Sequence, residues 1–156
     1  MQNEAHRMEE IIPVLLEVFE SGGEFRLAPR GTSMLPLLRE GRDAVALVHS
    51  DTLKKRDICL YRRADGSCVL HRLMKFEKGM PVFCGDNQTA LERGVPREAV
   101  LARVITVYRD DRAIPVTALS YRFYSFCHCI MLWRHVRFFP RRLAAFIRRK
   151  TKKAVD

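Results

Sequence analysis

The sequence predicts a mainly β domain of short strands, flanked by an N-terminal helix and a basic, helical C-terminal appendage. Three observations predict it. Residues 25–117 alternate short runs rich in β-branched and aromatic residues with polar, Gly or Pro connectors. Apolar residues before that stretch recur at helical spacing and end at Ser21-Gly22-Gly23. Charge is unevenly spread: of 28 Lys and Arg and 18 Asp and Glu, residues 119–156 hold ten basic and one acidic, leaving the rest near neutrality. At 156 residues the chain is long enough for one compact core and too short for two. The organisation expected is a helix over 1–24, a β domain over 25–117 and a basic extension over 118–156.

In the N-terminal segment, Ile11, Ile12, Leu15, Leu16, Val18 and Phe19 form an amphipathic helical pattern over about residues 4–21. Pro13 is least disruptive in a first turn, which holds only for a helix that begins near Ile11 or Ile12, so the sequence leaves the start open. Strands are predicted at Phe25–Ala28, Ala44–Val48, Ile58–Arg62, Cys68–Phe76, Val82–Cys84, Val100–Arg109 and Ile114–Val116. Ala64-Asp65-Gly66-Ser67 is a strong hairpin signal, because Asp-Gly accepts the positive φ of a tight turn, and Arg109-Asp110-Asp111-Arg112 is a weaker one.

From Ala118 to about Lys153 the periodicity is helical, split by Pro140. Leu119, Phe123, Phe126, Ile130, Trp133 and Arg137 fall near one stripe; Leu143, Phe146 and Ile147 form a second after the proline. Aromatic residues beside arginines suit a membrane interface. The same first stripe, packed on the β domain, would serve as core, and the sequence leaves both readings open. Peripheral contact with an anionic membrane follows from the first; DNA or RNA binding lacks a recognised reading element and is not expected.

Five cysteines, an odd number without Cys-x-x-Cys spacing, argue against a disulfide scaffold and for a reducing compartment. Cys127 and Cys129, one residue apart on a helix, point to different faces and make a poor metal pair, so neither metal nor cofactor is expected. Met1 to Glu10 is polar, unlike a secretory leader, and the longest weakly polar run, Phe123 to Trp133, is about half the 20 residues a membrane-spanning helix needs. The expected location is cytoplasmic, with peripheral attachment to the inner face of the membrane as an extension.

Three blocks carry chemistry: Gly31-Thr32-Ser33-Met34-Leu35-Pro36, Val69-Leu70-His71-Arg72 and Cys84-Gly85-Asp86-Asn87. They supply a hydroxyl, an imidazole and a carboxylate. A serine hydroxyl becomes a competent nucleophile only when a base takes its proton and a third group orients that base. Ser33 lies between the flexible Gly31 and Pro36, which forces an extended or turn path, and this favours an exposed hydroxyl with nearby N–H groups suited to an oxyanion. The intrinsic pKa of His71 keeps it neutral, as a base must be, near pH 7. Lys75, four residues on, is about 13 Å away along the strand and a poor substitute. Read without chemistry, Gly-Thr-Ser and Gly-Asp-Asn are turns, and His71 is a core residue on an apolar strand.

In order and spacing these blocks, over about residues 25–108, resemble the type I signal peptidase clan of serine proteases, whose β fold is shared by self-cleaving SOS-repressor peptidases. A histidine at the base position resembles the endoplasmic-reticulum and archaeal branch, which uses Ser-His-Asp. The resemblance implies Ser33 as nucleophile, His71 as general base and Asp86 as orienting acid, with Met34 and Pro36 at the substrate cleft. In that branch a later aspartate is the usual triad member, and Glu92 stands at the matching place here, so the third member is open between Asp86 and Glu92. Arg42-Asp43 and Arg56-Asp57 resemble the clan's Gly-Asp blocks and are read as structural.

The activity so implied is that of a serine endopeptidase cutting a leader- or signal-like peptide bound as an extended strand. The alternative on the same fold is a self-cleaving regulatory module or an inactive peptide binder. Residues 1–24 are too short for a repressor's DNA-binding domain, which counts against self-cleavage.

Overall fold

A computed structural model describes residues 2–49 and 51–130, with side chains from residue 11 onward. It is mainly β, as predicted. Helix α1 (Gln2–Glu20) leads into strands β1 (Phe25–Leu27), β2 (Asp43–Val48), β3 (Ile58–Arg62), β4 (Cys68–Glu77), β5 (Met80–Cys84), β6 (Val100–Arg109) and β7 (Arg112–Pro115), and helix α2 (Leu119–Cys129) follows. One antiparallel sheet orders them β1-β2-β6-β3-β4-β5, and β7 also pairs with β6.

Local chemistry accounts for most of these elements. The β3–β4 hairpin closes on Gly66 at φ +83°, while Asp65 accepts hydrogen bonds from both the backbone N–H and the hydroxyl of Ser67. At the β6–β7 turn Asp110 and Asp111 both hold positive φ, the conformation that fits a right-twisted hairpin. Lys78-Gly79 does the same between β4 and β5, a turn the sequence reading missed. Asp43 takes the Arg39 N–H and the Arg42 side chain, and Asp57 takes the Lys54 N–H, so both are the structural turn residues expected.

At the N-terminus helix α1 covers the residues predicted for it and settles the start left open by Pro13, which it encloses. Of the predicted C-terminal helical segment the described part is helix α2, which ends at Cys129 with Ile130 extended. Trp133, Arg137 and the second apolar stripe lie outside the described residues.

The central strand β3 is covered on both faces and divides the core. Ile58 and Leu60 point into a cluster with Leu15 of α1, Leu47, Leu70 and Val104. Cys59 and Tyr61 point the other way, to Leu73, Phe83 and Val95. His71 and Arg72, adjacent in β4, therefore project to opposite faces of the sheet. Further along β4 the register slips between Leu73 and Lys75, which lets Leu73 and Met74 both be buried and sends Lys75 into solvent to pair with Glu77 at 2.6 Å.

Candidate active site

His71 is positioned by pairing. Its register partner in β3 is Cys59, and Tyr61, two residues along on the same face, reaches across so that its hydroxyl lies 3.0 Å from Nδ1 of His71. Tyr61 is held by stacking on Phe83, with ring centroids 4.3 Å apart. The phenol donates its one proton to Oε2 of Glu92 at 2.7 Å. A carboxylate can only accept, so the Tyr61 oxygen must accept in turn from His71 Nδ1–H. That fixes the imidazole as the Nδ1–H tautomer and leaves the lone pair on Nε2.

Glu92 is brought here by an isolated bridge to Phe83, with N–H···O bonds in both directions. Arg63, just past β3, grips it with two charge-assisted hydrogen bonds of 2.6 Å. Those bonds hold the Glu92 carboxyl below its usual range, so it is ionised at neutral pH, and Oε2 lies 3.6 Å from His71 Nδ1. Burial pushes the His71 imidazole down to about 4, Glu92 pulls it the other way and Arg63 adds to the lowering. The ring is neutral at pH 7. Burial pushes the Cys59 thiol far up, which keeps it an inert apolar neighbour.

Asp86 is put to a different use. Its two carboxylate oxygens accept from Nε and Nη2 of Arg72 at 2.8 and 2.6 Å, in an ion pair with both side chains fully buried. Nη1 of Arg72 completes the cluster by donating to the Arg56 carbonyl at 2.9 Å and to the Ser125 hydroxyl of α2 at 2.7 Å. Because Arg72 and His71 point to opposite faces, the carboxylate beside the His71 ring is that of Glu92. Of the two acids left open by the sequence, geometry puts the longer one beside His71 and pairs the aspartate with Arg72.

Ser33 lies on the turn between β1 and β2, half-buried. Its backbone is clamped to the residues after β5: Asn87 N–H donates to the Ser33 carbonyl at 2.8 Å, and the Asn87 side chain to the Thr32 carbonyl at 3.1 Å. Gly85 is required for this approach, since a Cβ there would stand 2.6 Å from the Ser33 oxygen. Cys84, just before it, is in register with Arg72, the neighbour of His71. The Ser33 loop is thus anchored at the end of the strand beside the histidine. Among the described residues the Ser33 hydroxyl makes no hydrogen bond, to His71 or otherwise. Met34 is buried in the first core cluster, which makes it a support beneath the loop, whereas Pro36 is exposed.

Tyr61 and Arg63 were not identified from the sequence. Their signal was available only in part: Tyr61 and Arg63 alternate with Leu60 and Arg62 along and just beyond a strand, but which histidine and which acid they meet is decided by strand pairing 10 and 31 residues away. Chemically the arrangement can accept a proton at Nε2 and stabilise the imidazolium through Tyr61 and Glu92. No protein-family model, curated protein or solved structure matches the chain.

Proposed function

We propose that the chain is a serine endopeptidase of the signal peptidase type that cuts a leader- or signal-like peptide. The observation that carries this reading is the Tyr61 hydroxyl set 3.0 Å from His71 Nδ1 and 2.7 Å from Glu92 Oε2, an arrangement that calls for an Nδ1–H imidazole with its Nε2 lone pair available to act as a base. In this mechanism Ser33 Oγ attacks the substrate carbonyl while His71 Nε2 takes its proton. The imidazolium formed is held by Tyr61 and the ionised Glu92, and it then protonates the leaving amine. Water hydrolyses the acyl-enzyme by the same proton route in reverse. Closure of the Ser33 hydroxyl onto Nε2 accompanies substrate binding, since such hydrogen bonds tighten in the Michaelis complex.

Glu92 takes the orienting role in this proposal, and Asp86 builds the scaffold beneath it. An inactive peptide-binding module is the second reading. It is favoured by one observation: among the described residues the Ser33 hydroxyl makes no hydrogen bond to His71.

One experiment separates them. The protein and its Ser33→Ala variant are incubated with a peptide library, and new termini are mapped by mass spectrometry. Cleavage by the first and none by the second is the expected result. Equal cleavage patterns, or capture of peptides without cleavage by either protein, would remove the peptidase reading.

A further inference from the structure

Helix α2 sits on the protein with its faces reversed. Tyr121, Ser125 and His128 are buried, while Leu119, Phe123, Phe126 and Ile130 are 81, 72, 53 and 41% exposed. Leu119, Phe123 and Phe126 follow one another at intervals of four and three, one narrow stripe on α2, and Ile130 follows just past the helix end. It is the stripe for which the sequence left core packing open, and it does not pack on the core. Its direction is locked. Ser125 accepts from fully buried Arg72, the Arg72 guanidinium lies 5.8 and 5.7 Å from the Tyr121 and Tyr124 rings, and Tyr124 stacks on His128. Turning the stripe inward would take the Ser125 hydroxyl and two aromatic rings away from that buried cation, so the apolar face is held outward.

Four large apolar side chains in one exposed row mark a contact surface. The occupant is indicated by charge. Residues 119–156 carry ten basic residues and one acidic, and the rest of the chain is nearly neutral. A second copy docked on this stripe would bring two strongly basic segments together with no acidic surface to offset them. An anionic lipid surface accepts both the apolar row and the cations, and exposed Arg122 flanks the row at headgroup level. We infer that α2 is an interfacial membrane anchor, which seats Leu119, Phe123, Phe126 and Ile130 in an anionic lipid surface with the long axis of the helix in the membrane plane.

The test uses the full-length chain, its Phe123→Ser/Phe126→Ser variant and a Phe126→Trp variant in a Trp133→Phe background, which carries a single indole on the stripe. Phe123 and Phe126 face outward and can be changed without touching the core. Flotation is measured with vesicles of phosphatidylcholine alone and of phosphatidylcholine and phosphatidylglycerol at roughly three to one. The expected results are binding to the anionic vesicles, a loss of about tenfold or more in the double serine variant, and quenching of the introduced indole by brominated lipid. Three results would overturn the inference: vesicle binding unchanged in the serine variant, which leaves the tail's charge alone responsible; dimerisation or nucleic-acid binding that depends on the stripe in place of vesicle binding; or an introduced indole shielded from acrylamide in the free protein, which means the chain covers its own stripe.

Discussion

The phenol oxygen of Tyr61 lies 3.0 Å from Nδ1 of His71 and stands between that ring and the carboxylate of Glu92. A histidine oriented through a tyrosine differs from one held directly by an acid, because the hydroxyl can pass on orientation but not a full charge. On the proposed peptidase function, Tyr61→Phe is expected to lower kcat by about tenfold with little change in KM. Nitrogen NMR of His71 checks the cause independently of activity: the Nδ1–H tautomer is to lose its dominance in the variant. An unchanged tautomer would show that Tyr61 is only packing.

Glu92→Gln leaves shape intact but removes the charge that stabilises an imidazolium and anchors Arg63. A fall in kcat of about 100-fold or more is expected, and Asp86→Asn should lower it only as far as the fold loosens. Kinetics of both variants below their melting temperatures decide which acid serves the base. A larger kcat effect at Asp86 would return it to the triad.

Protonation of His71 links the site to stability. Its folded pKa is about 4 against an ordinary value of 6.5, so between those values the unfolded chain binds a proton that the folded one rejects. Stability therefore rises with pH across that window, levels off above it, and is lost as pH falls toward 4, by about 3 kcal/mol in all. The lowered Glu92 acts in the same direction at the acid end. Urea midpoints from pH 4 to 7, compared with His71→Gln, measure the term. A variant with the same slope as the parent would assign the pH dependence elsewhere.

The Arg72–Asp86 pair is fully buried, and breaking one side strands a charge. Asp86→Ala is expected to cost about 3–5 kcal/mol, with Arg72→Met/Asp86→Leu recovering part of that loss. Chemical denaturation of the two variants tests it. Equal losses would mean that the pair matters through packing alone.

Gly85→Ala pushes a methyl group to within 2.6 Å of the Ser33 carbonyl, where neither backbone can yield cheaply. A loss of about 2 kcal/mol or more is expected, together with exchange-broadened or shifted Ser33 and Asn87 amide signals. Undisturbed amides would show that the contact relaxes freely.

Sequence alone determined the β architecture, because alternation and turn chemistry are local. Cys68–Phe76 reads as a strand from its own residues, and Asp65-Gly66 and Asp110-Asp111 carry the backbone freedom their hairpins use. It also selected Ser33 and His71 as residues to examine, and it narrowed the third position to Asp86 or Glu92. Tertiary structure alone decided which of those acids lies beside His71. The choice depends on which face of β4 each residue meets: Arg72 draws Asp86 to one side, and the bridge to Phe83 brings Glu92 to the other. Tyr61 and Arg63 joined the site for the same reason, through pairings between distant segments. The reversal of α2 was equally beyond a periodicity argument, which can group Leu119, Phe123 and Phe126 on one face but cannot say whether that face turns inward. The buried guanidinium of Arg72, which must have polar partners, settled that by claiming the opposite face.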